Sequence, residues 1–217
     1  MVDKKGECVV LYQGDNPGMA AIIRGLSGTV PYIGPMIGEA LTINYTKVRE
    51  ERLREAFDYI SEMLMKLGED KIDKEYIQTD DFQHLLIIAL ESALKTKHSE
   101  KRKSFARILT NALSAGVNDE DRRRAEWFAE TLGRMSYYHI LVFNILMSKE
   151  RDKLIAGLSE TDKNAVFSCL GDLKSAGFVI YKGHLADKPD ASYFNSAELT
   201  EPGKEFVRWA LETDKSA

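Results

Sequence analysis

From Thr42 to Met135, apolar residues recur at helical spacing. Leu53, Phe57, Ile60, Leu64 and Leu67 step by four, three, four and three, the seam of a helix packed on another, and Gly68 offers a stop. Thr79 or Asp80 can cap a second helix carrying Phe82, Leu85, Leu86, Ala89, Leu90, Ala93 and Leu94. Ser99 can cap a third, with Phe105, Ile108, Leu109, Ala112 and Leu113 inside and Gly116 ending it. Asn118 can cap a fourth, with Ala125, Phe128, Ala129 and Leu132 on one face. Short, capped connections of this kind predict an antiparallel bundle.

Beyond Ser136 the pattern changes. Ser136 can cap a helix with Ile140, Phe143, Ile145 and Leu146, a short helix follows from Lys153 to Ala156, and Ser159 with Asp162 makes a loose capping box. The helix so opened carries Val166, Cys169, Leu170 and Leu173 inward, and Gly177 supplies the left-handed turn that a C-terminus prefers. Phe178 to Tyr181 is β-branched and aromatic, Lys182 to Asp190 is loop-like, and Ser192 to Leu199 returns as a ribbon. Thr200-Glu201-Pro202-Gly203 then opens a last helix with Phe206, Val207 and Ala210 facing inward. Leu170, Leu173, Gly177 to Ile180 and Leu199 to Gly203, in this order, read as a winged helix-turn-helix. The expected fold is therefore mainly α: an antiparallel helical bundle over 19–135, followed by an α+β winged-helix domain over 136–217.

The N-terminal residues differ from both. Residues 1–18 combine charge, the β-like run Cys8 to Tyr12 and the turn-rich Gly14 to Gly18, and are expected to form an arm. No secretory cleavage pattern is seen, so the expected location is the cytoplasm. Between Arg24 and Glu39 there is no charge, and Gly25 to Gly38 holds a Gly-x-x-x-Gly step at Gly34 and Gly38. Such a run is too short for the roughly 20 residues that span a bilayer, and Pro31 and Pro35 interrupt it. It reads as a buried hairpin turning at the prolines, with a reversible or oligomeric membrane-inserting element as the competing interpretation.

The 217 residues carry a net charge of −4, so no chain-wide field draws in a phosphate backbone. Two distant cysteines, Cys8 and Cys169, fit a reducing compartment. On the helix that would read DNA, Lys163, Asn164, Ser168 and Lys174 face acidic neighbours at Glu160, Asp162 and Asp172, and Lys182 follows the first strand. From Ser136 onward there are ten basic and twelve acidic residues. Positive charge gathers instead between Lys95 and Arg124, where nine basic residues, among them Lys101, Arg102, Lys103, Arg122, Arg123 and Arg124, stand against four acidic ones. That run is either a solvated face or a contact for an anionic surface, nucleic acid or lipid headgroup.

Catalytic and metal-site spacings are missing from the sequence. His84, His98, His139 and His184 form no His-x-x-x-His step, neither cysteine stands near a histidine at ligand spacing, and no phosphate-binding loop or nucleophile elbow occurs. His84 and His139 read as packing or hydrogen-bonded histidines, Cys169 as core, and the acids at 80–81 and 119–121 as helix-start residues. No cofactor, metal or enzymatic activity is expected.

The stretch Lys101 to Leu146, with Phe105, Ala106, Ile108, Leu109, Asn111 and Ala112 before an acidic turn, then Phe128, Leu132, Ile140 and Leu146, resembles the middle of the Abi-alpha family. That resemblance implies a bacterial or phage-related protein associated with abortive infection, and it brings no catalytic residues. Two functions follow as expectations. One is a non-enzymatic interaction protein whose winged helix contacts or senses a protein partner. The other is a winged-helix DNA-binding regulator with a helical dimerisation or sensor domain. The helical seam at Leu53 to Leu67, with the apolar segment before it, predicts a homodimer in either case.

Overall fold

The computed structural model describes residues 47–182 and 191–211. The expected arm at 1–18, the Gly/Pro-rich segment at 19–41, Cys8, His184 and most of the expected loop, 183–190, lie outside the described residues. The described chain is mainly helical with a two-stranded antiparallel sheet near its C-terminal end, and it divides into two compact units between Gly133 and Arg134.

In the first unit, α1 (Lys47–Leu67), α2 (Asp80–Lys95), α3 (Ser99–Ala112) and α4 (Asp119–Arg134) follow the apolar spacing. Leu53, Ala56, Phe57, Ile60 and Leu64 of α1 are buried, and α1 packs on α2 and α3. The seam that predicts a second copy is thus covered within the chain. Each of the buried leucine, isoleucine and phenylalanine side chains contributes roughly 1.5–3 kcal/mol through apolar area removed from water.

Caps decide the helix starts. Thr79 Oγ1 accepts the Phe82 N–H at 3.2 Å, and Asn118 Oδ1 accepts that of Asp121 at 2.9 Å. The start of α3 departs from expectation. The His98 carbonyl accepts from the Arg102 N–H at 3.3 Å, so His98 is the boundary residue and Ser99 is already helical. Between α1 and α2 the chain makes two short 3-10 turns and buries Tyr76 and Ile77. It is tied to the α3–α4 connection by Asp73 N–H to Leu113 O at 2.8 Å and Ala115 N–H to Lys71 O at 2.7 Å.

In the second unit, α5 (Tyr137–Met147) packs on α7 (Glu160–Ser175), with the short α6 (Arg151–Ala156) between them in sequence. Gly177, at φ 82°, ends α7: its N–H reaches Lys174 O at 3.0 Å and the Phe178 N–H reaches Leu173 O at 2.9 Å, the paired bonds of a Schellman turn. The chain leaves directly as β1 (Val179–Tyr181) and returns through α8 (Ala191–Ser196) into β2 (Ala197–Leu199). The register pairs Val179 with Leu199, Ile180 with Glu198 and Tyr181 with Ala197. The expected ribbon from Ser192 is therefore corrected: its first part is helical, and only Ala197–Leu199 pairs.

Thr200 caps α9 (Glu201–Phe206), which continues as a π-helix to Leu211. The rings of Phe143, Phe178 and Phe206 meet at centroid distances of 6.0, 5.0 and 5.3 Å, joining α5, the turn into β1 and α9 in one core. Gly203 lies against the Phe178 carbonyl, where a Cβ would overlap the oxygen. Among the described residues no helix is long and apolar enough to cross a membrane.

Candidate functional site

The basic run of the helical unit resolves into separate structural duties. Lys101 and Arg102 are buried at 7% and 5% exposure, a placement at odds with a solvated face. Lys101 Nζ donates to the Gly133 carbonyl at 3.1 Å, at the C-terminal end of α4, and burial lowers its pKa from the ordinary lysine value. Arg102 donates from Nη1 to Thr96 O at 3.0 Å, beyond the end of α2, and from Nε and Nη2 to Glu55 of α1. Arg52 of α1 also serves the end of α2, with Nη1 3.0 Å from Leu94 O. These cations satisfy carbonyls that a helix end leaves without intrahelical donors, where the macrodipole also favours positive charge.

At the other end of α4, Arg122 pairs with Asp73 and lies 3.8 Å over the Tyr76 ring. The backbone N–H of Tyr76 is the main cause holding the Asp73 carboxyl below its ordinary pKa, with Arg122 adding to it. Desolvation dominates at Tyr76 and pushes its phenol up to about 12 despite the cation. Arg124 pairs with Glu120 at 2.9 Å and Asp121 at 3.3 Å, Lys103 pairs with Glu100 at 2.9 Å, and Arg123 is exposed. Since Lys101 reaches Gly133 while Arg122 sits one turn into α4, the two basic groups lie toward opposite ends of that helix, about 16 Å apart along its axis.

In the second unit the expected contact residues lie on the outer side of α7 and on the hairpin. Asn164, Ser168 and Lys174 are exposed. Lys163 pairs with Glu160 at 2.7 Å, Lys182 with Glu198 at 2.6 Å, and the Lys174 ammonium lies 4.8 Å over the Tyr181 ring. Ile180, at the centre of β1, turns outward at 46% exposure. The surface is polar and near-neutral with an apolar point, and its cations are already engaged.

A second cluster joins α5 to α7. The Ser136 N–H donates to His139 Nδ1 at 3.0 Å, so histidine takes the place that glutamate or glutamine holds in a capping box. An accepting Nδ1 leaves the ring proton of a neutral imidazole on Nε2, which stands 3.3 Å from Asp172 Oδ2. Ser136 Oγ lies 2.8 Å from Nδ1 and 3.7 Å from Cys169 Sγ. Burial is the main cause raising the Cys169 thiol above its ordinary pKa. One ligand atom each from His139, Cys169 and Asp172 falls within 4.8 Å of the others. Nearby, Tyr138 donates to Asp162 at 2.6 Å, and Ser159 both donates to that carboxylate and caps α7 by accepting the Asp162 N–H.

Linear spacing hides this cluster because its members come from two helices about thirty residues apart in the chain. The legible signal is local: Cys169 and Asp172 are one helical step apart, and Ser136 and His139 frame a helix start. His84 is exposed on α2 with Nε2 3.2 Å from Glu126, a partnered rather than a packing histidine. No family model, no curated protein and no solved structure matches the chain.

Proposed function

We propose that the chain is a non-enzymatic interaction protein whose C-terminal unit is a winged helix engaging a protein partner through α7 and the β1–β2 hairpin. The element order supports the winged-helix assignment: three helices, a strand leaving directly at a glycine turn, its antiparallel partner, and a closing helix. The observation that carries the partner assignment is the state of the cations on that surface. Lys163 and Lys182 are each paired with a carboxylate, and Glu160, Asp172 and Glu198 stand among Lys163, Lys174 and Lys182, so the surface offers little net positive field to phosphates. Asn164, Ser168 and the outward Ile180 supply a polar and apolar mixture suited to a protein surface. The Abi-alpha resemblance makes phage defence the setting for this interaction.

Fluorescence anisotropy of labelled random duplex DNA, titrated with the full chain at two salt concentrations, tests the proposal. The expected result is flat, negligible binding at both. Affinity in the micromolar range that falls steeply with salt overturns it in favour of a DNA-binding regulator.

A further inference from the structure

His139, Cys169 and Asp172 bring an imidazole, a thiol and a carboxylate together from two packed helices, and we propose that they form a three-ligand site for a divalent cation of the zinc class. The donor set selects the metal. A thiolate with an imidazole favours zinc and its late first-row neighbours over calcium or magnesium, which take oxygen ligands. The spacing is close to what such an ion needs, since ligand atoms at tetrahedral zinc stand about 3.5 Å apart. His139 Nε2 and Asp172 Oδ2 are already 3.3 Å apart. The widest separation in the set, within 4.8 Å, closes with a side-chain adjustment of roughly 1 Å.

Position supports the same assignment. Cys169 and Asp172 lie on adjacent turns of α7 and His139 lies in the first turn of α5, so all three ligands stand on helices packed against each other. Cys169 is 7% exposed, which shields the metal–sulfur bond from water. The Asp172 side chain is 66% exposed, so an ion has a route in and a water can complete the coordination.

Binding has a definite proton balance. The metal takes the Nε2 lone pair, so the imidazole proton moves to Nδ1, where Ser136 Oγ at 2.8 Å is placed to accept it. The Ser136 N–H, at an exposed residue, turns to water. Cys169 loses its thiol proton to solvent as the sulfur–metal bond forms, and Asp172 binds as the carboxylate. One proton is released per ion. The bound cation would link the start of α5 to the second half of α7 whatever the unit as a whole contacts.

The test uses the full chain, stripped with a chelator and titrated with Co2+ as the optical probe and then with Zn2+ as competitor. The expected result is one Co2+ per chain with a thiolate-to-cobalt charge-transfer absorption, abolished by Zn2+. The band persists in Cys8→Ala and disappears in Cys169→Ala. Asp172→Asn changes an exposed side chain with little risk to folding, and it weakens Co2+ binding tenfold or more while circular dichroism stays native. A wild-type chain with no thiolate band, a band that follows Cys8 and not Cys169, or Asp172→Asn binding as tightly as wild type each overturns the site.

Discussion

Replacing Gly203 by alanine in the second unit separates close packing from helix propensity. By propensity alone the change stabilises, because alanine gains up to about 1 kcal/mol over glycine inside a helix. Packing opposes it. A Cβ at residue 203 would overlap the Phe178 carbonyl oxygen, with the carbonyl carbon at 3.1 Å and Leu199 Cδ2 at 3.4 Å. The obstacle is backbone at the turn into β1, and the same oxygen accepts the Thr200 N–H at 3.0 Å, so moving it also stretches that bond. Overpacking toward the upper end of about 1–3 kcal/mol, with part of a hydrogen bond worth about 1 kcal/mol, outweighs the propensity gain and leaves a loss of about 2 kcal/mol. For a unit the size of residues 134–217 that is a fall in Tm of roughly 8–16 °C. Gly171 is the internal control, since it lies in α7 and an added Cβ there would have nothing within 4 Å. Gly171→Ala is expected to raise stability by about 0.5–1 kcal/mol. Both variants are read in a Trp127→Phe background, where the buried Trp209 becomes the sole tryptophan and reports on the second unit alone. Equal melting of Gly203→Ala and the parent would refute the close approach, and destabilisation by Gly171→Ala would refute the propensity gain set against it.

Glu55→Ala removes the carboxylate from a 6% exposed Arg102 side chain while leaving the guanidinium on Thr96 O, and a loss of about 2–3 kcal/mol is expected in urea denaturation, below a fully buried pair because Glu55 is 45% exposed; an unchanged midpoint would show that the pair is dispensable. Asp73 has a folded-state pKa below its unfolded value, so its contribution is present above the ordinary carboxylate range and is lost as pH falls through the lowered value. Asp73→Asn should therefore flatten the acid limb of stability against pH, and an unaltered limb contradicts the assignment. Val48, Met65, Ile87 and Trp127 leave apolar surface on the helical unit, so light scattering at high concentration is expected to return a homodimer; a mass near 24.5 kDa throughout excludes it.

Much of the helical architecture is legible in the sequence because its signals are local. The seam positions Leu53, Phe57, Ile60 and Leu64 are buried as their spacing demands, and Thr79, Asn118, Ser159 and Thr200 make the cap bonds their positions require. The failures come from partners distant in the chain. Ser99 loses the boundary to His98 where Arg102, drawn to Glu55 and Thr96, has its N–H on the His98 carbonyl. The short bridge of Ile72 to Ser114 and the burial of Tyr76 under Arg122 have no periodic signature, since their partners come from distant parts of the chain. Ser192 to Ser196 alternates poorly, and with Phe194 fully buried against Phe167 the segment coils into α8 before the strand begins.

Charge is the least transferable signal, and the reason is physical. Counting cations along the chain treats every lysine and arginine as a source of external field, yet a cation seated on a helix C-terminal carbonyl is held by that helix and contributes far less at the surface. Lys101, Arg102 and Arg52 are used in this way in the first unit, and Arg151 does the same in the second, donating to Leu146 O at 2.6 Å beside its bonds to Phe194 O and Ala197 O. Arg123 stands outside this scheme, exposed on α4 next to the paired Arg122 and Arg124. Of the basic run, Arg123 and the exposed Lys97 are therefore the cations an anionic ligand would meet most directly, whereas Lys101, Arg102 and Arg122 are already committed to carbonyls or carboxylates inside the unit. His139, Cys169 and Asp172 differ in kind from that basic run, because a cation arriving there exchanges the Ser136–His139 capping bond, the His139–Asp172 contact and one thiol proton for three ligand bonds.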